Sequence, residues 1–298
     1  MDHHPFRSPE ARERYLSLHA AHATKWPVPS DEGLLESSWG TTFVRSSGPL
    51  DGPPLLLLPG VGISSNMWIP NAAALSAAFR IHAVDNIYDF GRSVFTRPVT
   101  CADDFVAWLA ELVDIISPDQ PILLCGISYG GWIASRFSLA HPERVAKLAL
   151  LAPVATVGGL SFSFIWRAVG STLPFRAFTK MFIEWIAEDA LADGEVNRAL
   201  VDDMLEHALV APRAFVRRRM VPPDRLNDEE LAALPPETLF LVGEHEKIYD
   251  PAEVLARLAS VAPHVQTQVV EGAGHDLTIA RSDEVNAALV AHFLGSTA

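Results

Sequence analysis

Short runs of consecutive apolar residues recur along the chain, at 42–44, 54–58, 81–84, 121–125, 145–151, 238–242 and 265–270. Several are unbroken Leu, Ile and Val stretches bounded by Gly, Pro or Asp. A strand buried on both faces reads this way, because neither face can carry polar side chains. Between these runs lie stretches with helical spacing, such as 103–116 and 131–140. The alternation predicts an α/β fold on a mostly parallel, doubly wound sheet. Residues 9–26 read as a helix with one polar face, which Pro27 and Pro29 terminate.

The alternation breaks once. From 156 to 233 no strand pattern is found, and the sequence is helix-like and rich in aromatics: Phe162, Phe164, Trp166, Phe175, Phe178, Phe182 and Trp185. The chain therefore divides into an N-terminal helical extension (1–30), a core (31–155 with 234–298) and a helical insertion (156–233). The spacing of Phe178, Phe182 and Trp185 suits a face that packs on the core.

Composition narrows the class. Of the 298 residues 49% are hydrophobic and 20% charged, the balance of a globular chain with a sizeable core. The net charge of −13 disfavours nucleic acid and anionic lipid as partners. Arg213, Arg217, Arg218 and Arg219 form the one basic cluster, which reads as the solvated face of a helix. The two cysteines, Cys101 and Cys125, suit neither a disulfide scaffold nor a metal site, and Cys125 reads as a small buried hydrophobe. No apolar run approaches the length of a membrane span, and the N-terminus lacks the apolar segment of a signal peptide. The expectation is a soluble, cytoplasmic protein acting on a small molecule; oligomeric state is not legible.

The chemical signal is Gly126-Ile127-Ser128-Tyr129-Gly130, placed directly after one apolar run and before a helical stretch. A serine on a sharp strand-to-helix turn is held in strained backbone, and its neighbours must be glycine to avoid a clash. The turn lifts the Ser128 hydroxyl clear of the sheet. It also puts the Tyr129 N–H at a helix N-terminus, where developing negative charge is stabilised. A serine needs a base. His275, in Gly272-Ala273-Gly274-His275-Asp276 after the last apolar run, is the histidine whose setting fits. His141 reads as a helix end, His82 as a satisfied core residue, and His3 and His4 have no supporting context. The base in turn needs a carboxylate to fix its tautomer. The segment Gly243-Glu244-His245-Glu246-Lys247-Ile248-Tyr249-Asp250 offers three, in the chain order Ser, acid, His.

On these motifs the chain resembles the α/β-hydrolase superfamily, in its compact carboxylesterase type with a helical cap. The similarity runs from about residue 48 to the C-terminus, the cap apart. The resemblance to the pattern Gly-x-x-Asp implies Glu246 as the acid, with Asp250 next and Glu244 behind it. Leu57-Leu58-Pro59-Gly60-Val61-Gly62 resembles the family's oxyanion turn. The match implies the Val61 and Tyr129 N–H groups as oxyanion donors, with Pro59 standing where the family has a histidine. By family position Met67 and Trp68 should touch substrate, and the cap aromatics Trp166 and Phe182 suggest a hydrophobic acyl or aromatic group. Residues 85–93 resemble a structural turn of the family, one residue longer and lacking its first glycine, with Asp85 as scaffold. The implied chemistry is ester hydrolysis through an acyl-enzyme, needing no metal or organic cofactor. Carbon–carbon, amide, lactone or peracid chemistry shares the triad. A non-catalytic receptor of the same fold would be a different class altogether.

Overall fold

The computed structural model describes residues 4–173 and 175–295. Each apolar run forms a strand: β2 (Gly40–Ser47), β3 (Pro54–Leu58), β4 (Arg80–Val84), β6 (Ile122–Ile127), β7 (Val145–Leu151), β8 (Thr238–Gly243) and β9 (Gln266–Val270). Two further strands fall outside these apolar runs. β1 (Asp31–Ser37) is a largely exposed edge, and β5 (Val94–Phe95) is two residues long. Together they make a nine-stranded sheet in the order β1-β2-β4-β3-β6-β7-β8-β9, with β5 paired to β2. From β4 to β9 every pairing is parallel; β1 and β2 are antiparallel.

The helices are α1 (Pro9–Ala23), α2 (Ile69–Ser76), α3 (Ala102–Ile116), α4 (Tyr129–Ala140), α5 (Phe162–Ser171), α6 (Arg176–Ile186), α7 (Glu188–Ala192), α8 (Glu195–Ala214), α9 (Asp228–Ala232), α10 (Pro251–Val261), α11 (Leu277–Ala280) and α12 (Ser282–Leu294). The alternate faces of the central strands divide the core. Leu56, Leu58, Leu124, Leu150 and Phe240 pack against Trp108 of α3, Trp132 of α4 and Leu258 of α10. Leu55, Leu57, Cys125, Leu151 and Leu241 pack against Leu75 of α2 and Leu289 and Phe293 of α12. Fully burying one such leucine stabilises the fold by about 1.5–3 kcal/mol. Helices on both faces are what turn these strands into unbroken apolar runs.

Among the described residues five helices, α5 to α9, lie between β7 and β8. α1 packs on α8, its Tyr15 and His19 are buried, and the His19 carbonyl accepts a bond from Asn66 Nδ2 (3.1 Å). The basic cluster is not one helix face: Arg213 is in the last turn of α8, which ends at Ala214, and the other three arginines lie beyond it, Arg218 with its guanidinium 4.9 Å from the Phe90 ring and 5.0 Å from that of Phe215. Among the described residues no helix is long and apolar enough to cross a membrane.

Candidate active site

The order of strands reverses direction at the β3–β6 pair: the chain goes outward from β3 to β4, and the other way from β6 to β7. In a parallel sheet such a switch point opens a crevice at the carboxyl ends of the strands. Two turns meet there. β6 delivers Ser128 with φ 53° and ψ −116°, a left-handed-side conformation that a β-substituted residue holds only under strain. Gly126 and Gly130 permit it, since an added Cβ would fall 2.3 Å from the Gly130 oxygen in the first case and 2.4 Å from the Leu58 oxygen in the second. Ser128 O accepts from Trp132 and Val154 N–H, and Ser128 N–H donates to Leu151, so the elbow is held from both sides. The Ser128 side chain makes no cap bond to its own helix, which leaves the hydroxyl available.

The second turn follows β3. A Cβ on Gly60 would lie 3.6 Å from Ser128 Cβ, so this backbone runs directly against the serine. Neither Val61 N–H nor Tyr129 N–H has a protein acceptor among the described residues. The Tyr129 side chain points away into the core, donating to the Val221 oxygen at 2.7 Å.

β8 and β9 bring the remaining groups. The loop after β9 folds onto the end of β8 through His245 N–H to Ala273 O (2.9 Å), and Gly243 has no room for a side chain beneath it. His275 Nδ1 donates to Glu246 Oε2 at 2.9 Å, which leaves Nε2 as the free nitrogen. The buried Glu246 carboxylate also accepts the N–H groups of Lys247 and Ile248 on Oε1, both at 2.8 Å. Asp250 does not reach His275: it caps α10, accepting from Ala252 and Glu253 N–H. Glu244 accepts from Gly272 N–H at 3.0 Å. The hydrogen bonds of His275 run to Glu246 and not to Ser128; in unliganded enzymes the nucleophile–base bond is often long and tightens only with substrate.

Asp276, next to His275, carries no sequence signal of its own. Its carboxylate accepts Ala190 N–H of α7 (2.7 Å) and Gly274 N–H (3.2 Å), tying the histidine loop to the inserted helices. Burial raises its pKa, opposed by those two N–H groups. Lys247 makes a second tie, its Nζ donating to the Trp185 oxygen of α6 at 3.0 Å.

The expected substrate contacts fare unequally. Trp68 is 0% exposed and packs under the sheet, so it is a core residue and not a pocket wall. Met67 Sδ accepts the Gly60 N–H at 3.2 Å and also lines a small cavity with Asn66, Met204 and His207, whose walls do not include Ser128. Trp166 is 49% exposed on α5, with the Arg167 guanidinium 4.6 Å from its ring. Phe182 is half-buried between Phe164 and Trp185 at 6.1 and 6.4 Å.

A strained serine elbow at a switch point, with a histidine–carboxylate pair on the neighbouring loops, defines a serine-hydrolase type of α/β protein. The chain belongs to the alpha/beta hydrolase family, whose model matches residues 55–288. It is similar to the uncharacterized carboxylesterase nap of Bacillus subtilis (strain 168), 32% identical with 100% of this chain and 99% of that protein covered. Carboxylesterase YbfK of the same organism is 28% identical, with 97% of each chain covered. Among solved structures, naproxen esterase (carboxylesterase NP) from Bacillus subtilis superposes with a TM-score of 0.87 at 29% identity, covering 96% of this chain and 99% of that one.

Proposed function

We propose that the protein is a serine carboxylesterase, with Ser128 as nucleophile, His275 as general base and Glu246 as the acid that orients it. The observation that carries this reading is the 2.9 Å bond from His275 Nδ1 to Glu246, which leaves Nε2 to serve the strained serine at the end of β6. Ser128 attacks the ester carbonyl as His275 takes its proton. The Val61 and Tyr129 N–H groups receive the oxyanion, the protonated His275 gives its proton to the departing alcohol, and water activated by the same nitrogen releases the acid. Each oxyanion donor contributes about 3 kcal/mol to transition-state stabilisation. No step of this sequence requires a metal or organic cofactor.

Helices α5 to α9 act as a cap, and the substrate carries a hydrophobic acyl or aromatic group. Support comes from the apolar surface of α5 and α6 and the residue that caps α6, where Phe162, Trp166, Val169, Phe175 and Phe178 are exposed. The similarity to an enzyme named for naproxen makes arylpropionate esters the first substrates to try. The test is Ser128→Ala, which should cut ester turnover by at least about 10⁴-fold with an unchanged melting temperature. A variant retaining more than a small fraction of turnover would remove Ser128 from the mechanism.

A further inference from the structure

The turn after β3 has Pro59 where the family has a histidine, so something else must fix its peptide planes. Three successive N–H groups are treated differently. Gly60 N–H donates to Met67 Sδ at 3.2 Å, and Gly62 N–H donates to Asp89 Oδ2 at 2.7 Å. Between them, Val61 N–H has no protein acceptor among the described residues. The peptides on either side of the free donor are thus pinned, which fixes the direction of the free one.

Asp89 is suited to this work. It is only 7% exposed, and its Oδ1 is held by the Phe90 N–H at 2.7 Å, so the carboxylate cannot swing. Its segment is bound to the same turn a second time, where Asp85 accepts the Ser65 N–H (2.7 Å) and the Arg92 N–H (2.6 Å). Burial pushes the Asp89 carboxyl up, while the Arg218 charge and the Gly62 and Phe90 N–H groups favour its ionised form. Arg218 comes from the segment beyond α8, so the inserted block supplies the nearby positive charge.

We infer that Asp89 is a positioning residue of the reaction: through Gly62 it aims the Val61 N–H at the oxyanion. The inference rests on the reading of Val61 as an oxyanion donor. An oxyanion donor contributes about 10²- to 10³-fold in kcat, and a misaimed one loses part of that. Asp89→Ala should therefore lower kcat about 10- to 100-fold with KM changed by less than about threefold. Asp89→Asn keeps the shape but can offer an oxygen to only one of the two N–H groups, and should lose about 3- to 10-fold. A purely structural role would not produce the second signature, a matching loss of affinity for a trifluoromethyl ketone, which binds as an oxyanion on the serine.

The measurement is kcat, KM and trifluoromethyl ketone inhibition for wild type, Asp89→Ala and Asp89→Asn, with Ser128→Ala alongside. If the alanine variant does not fold, the asparagine variant decides. The inference holds if kcat/KM and inhibitor affinity fall together in folded variants. It is overturned if folded Asp89 variants keep wild-type kcat and inhibitor affinity while Ser128→Ala is inactive. Turnover by Ser128→Ala would overturn the underlying reading instead.

Discussion

Glu244, Glu246 and Asp250 share one loop, and three different hydrogen-bond environments separate them. Only Glu246 meets the imidazole; Asp250 meets two backbone N–H groups of α10. Glu246→Gln should lower kcat roughly 10³- to 10⁴-fold, because an amide neither fixes the tautomer nor balances the imidazolium. Asp250→Ala should leave kcat within about threefold and cost about 1 kcal/mol of stability as a lost helix cap. Steady-state kinetics and thermal melts on the two variants check both, and the opposite ranking would move the acid to Asp250. The glycine-flanked serine and the glycine-framed histidine were legible from sequence because the backbone demands those residues. Asp89 was not, since a carboxylate bonding backbone 27 positions away leaves no local pattern. Trp68 misled by position: adjacency to the turn says nothing about which way an indole points, and this one enters the core.

At the scale of elements, the buried strands were legible because helices on both faces exclude polar residues from them. β1 was not, because an exposed edge needs no apolar alternation; its Glu32 instead pairs with Arg45 of β2 at 2.8 Å. α8 carries a buried His207 whose ring meets Tyr15 of α1 at 5.5 Å. Burial lowers the pKa of His207 to about 3, and that of His82 in β4 to about 4. The unfolded chain, with histidine near 6.5, binds protons that the folded chain refuses. This contribution to stability is therefore complete above about pH 6.5 and lost progressively as pH falls toward 3 or 4. Melting temperature should drop between pH 7.5 and 5, and the drop should be smaller in His207→Gln, whose side chain takes up no proton. Equal drops in the two proteins would show that His207 is not buried neutral.

The whole molecule combines a strongly acidic chain with an apolar face on α5 and α6. On the proposed reading neutral hydrophobic esters should be preferred, and anionic ones should be disfavoured by the net charge of −13. Across a neutral ester series kcat/KM should rise with acyl size, and Trp166→Ala should blunt the rise; a flat series would remove the apolar face from recognition. The proposed mechanism turns on the hydroxyl of Ser128, so its covalent chemistry is the most direct test. Treating the intact protein with a fluorophosphonate and mapping the adduct by mass spectrometry should find a single modified site, Ser128, with ester turnover lost in proportion to labelling. An adduct on another residue, or full labelling of Ser128 with turnover undiminished, would contradict the account.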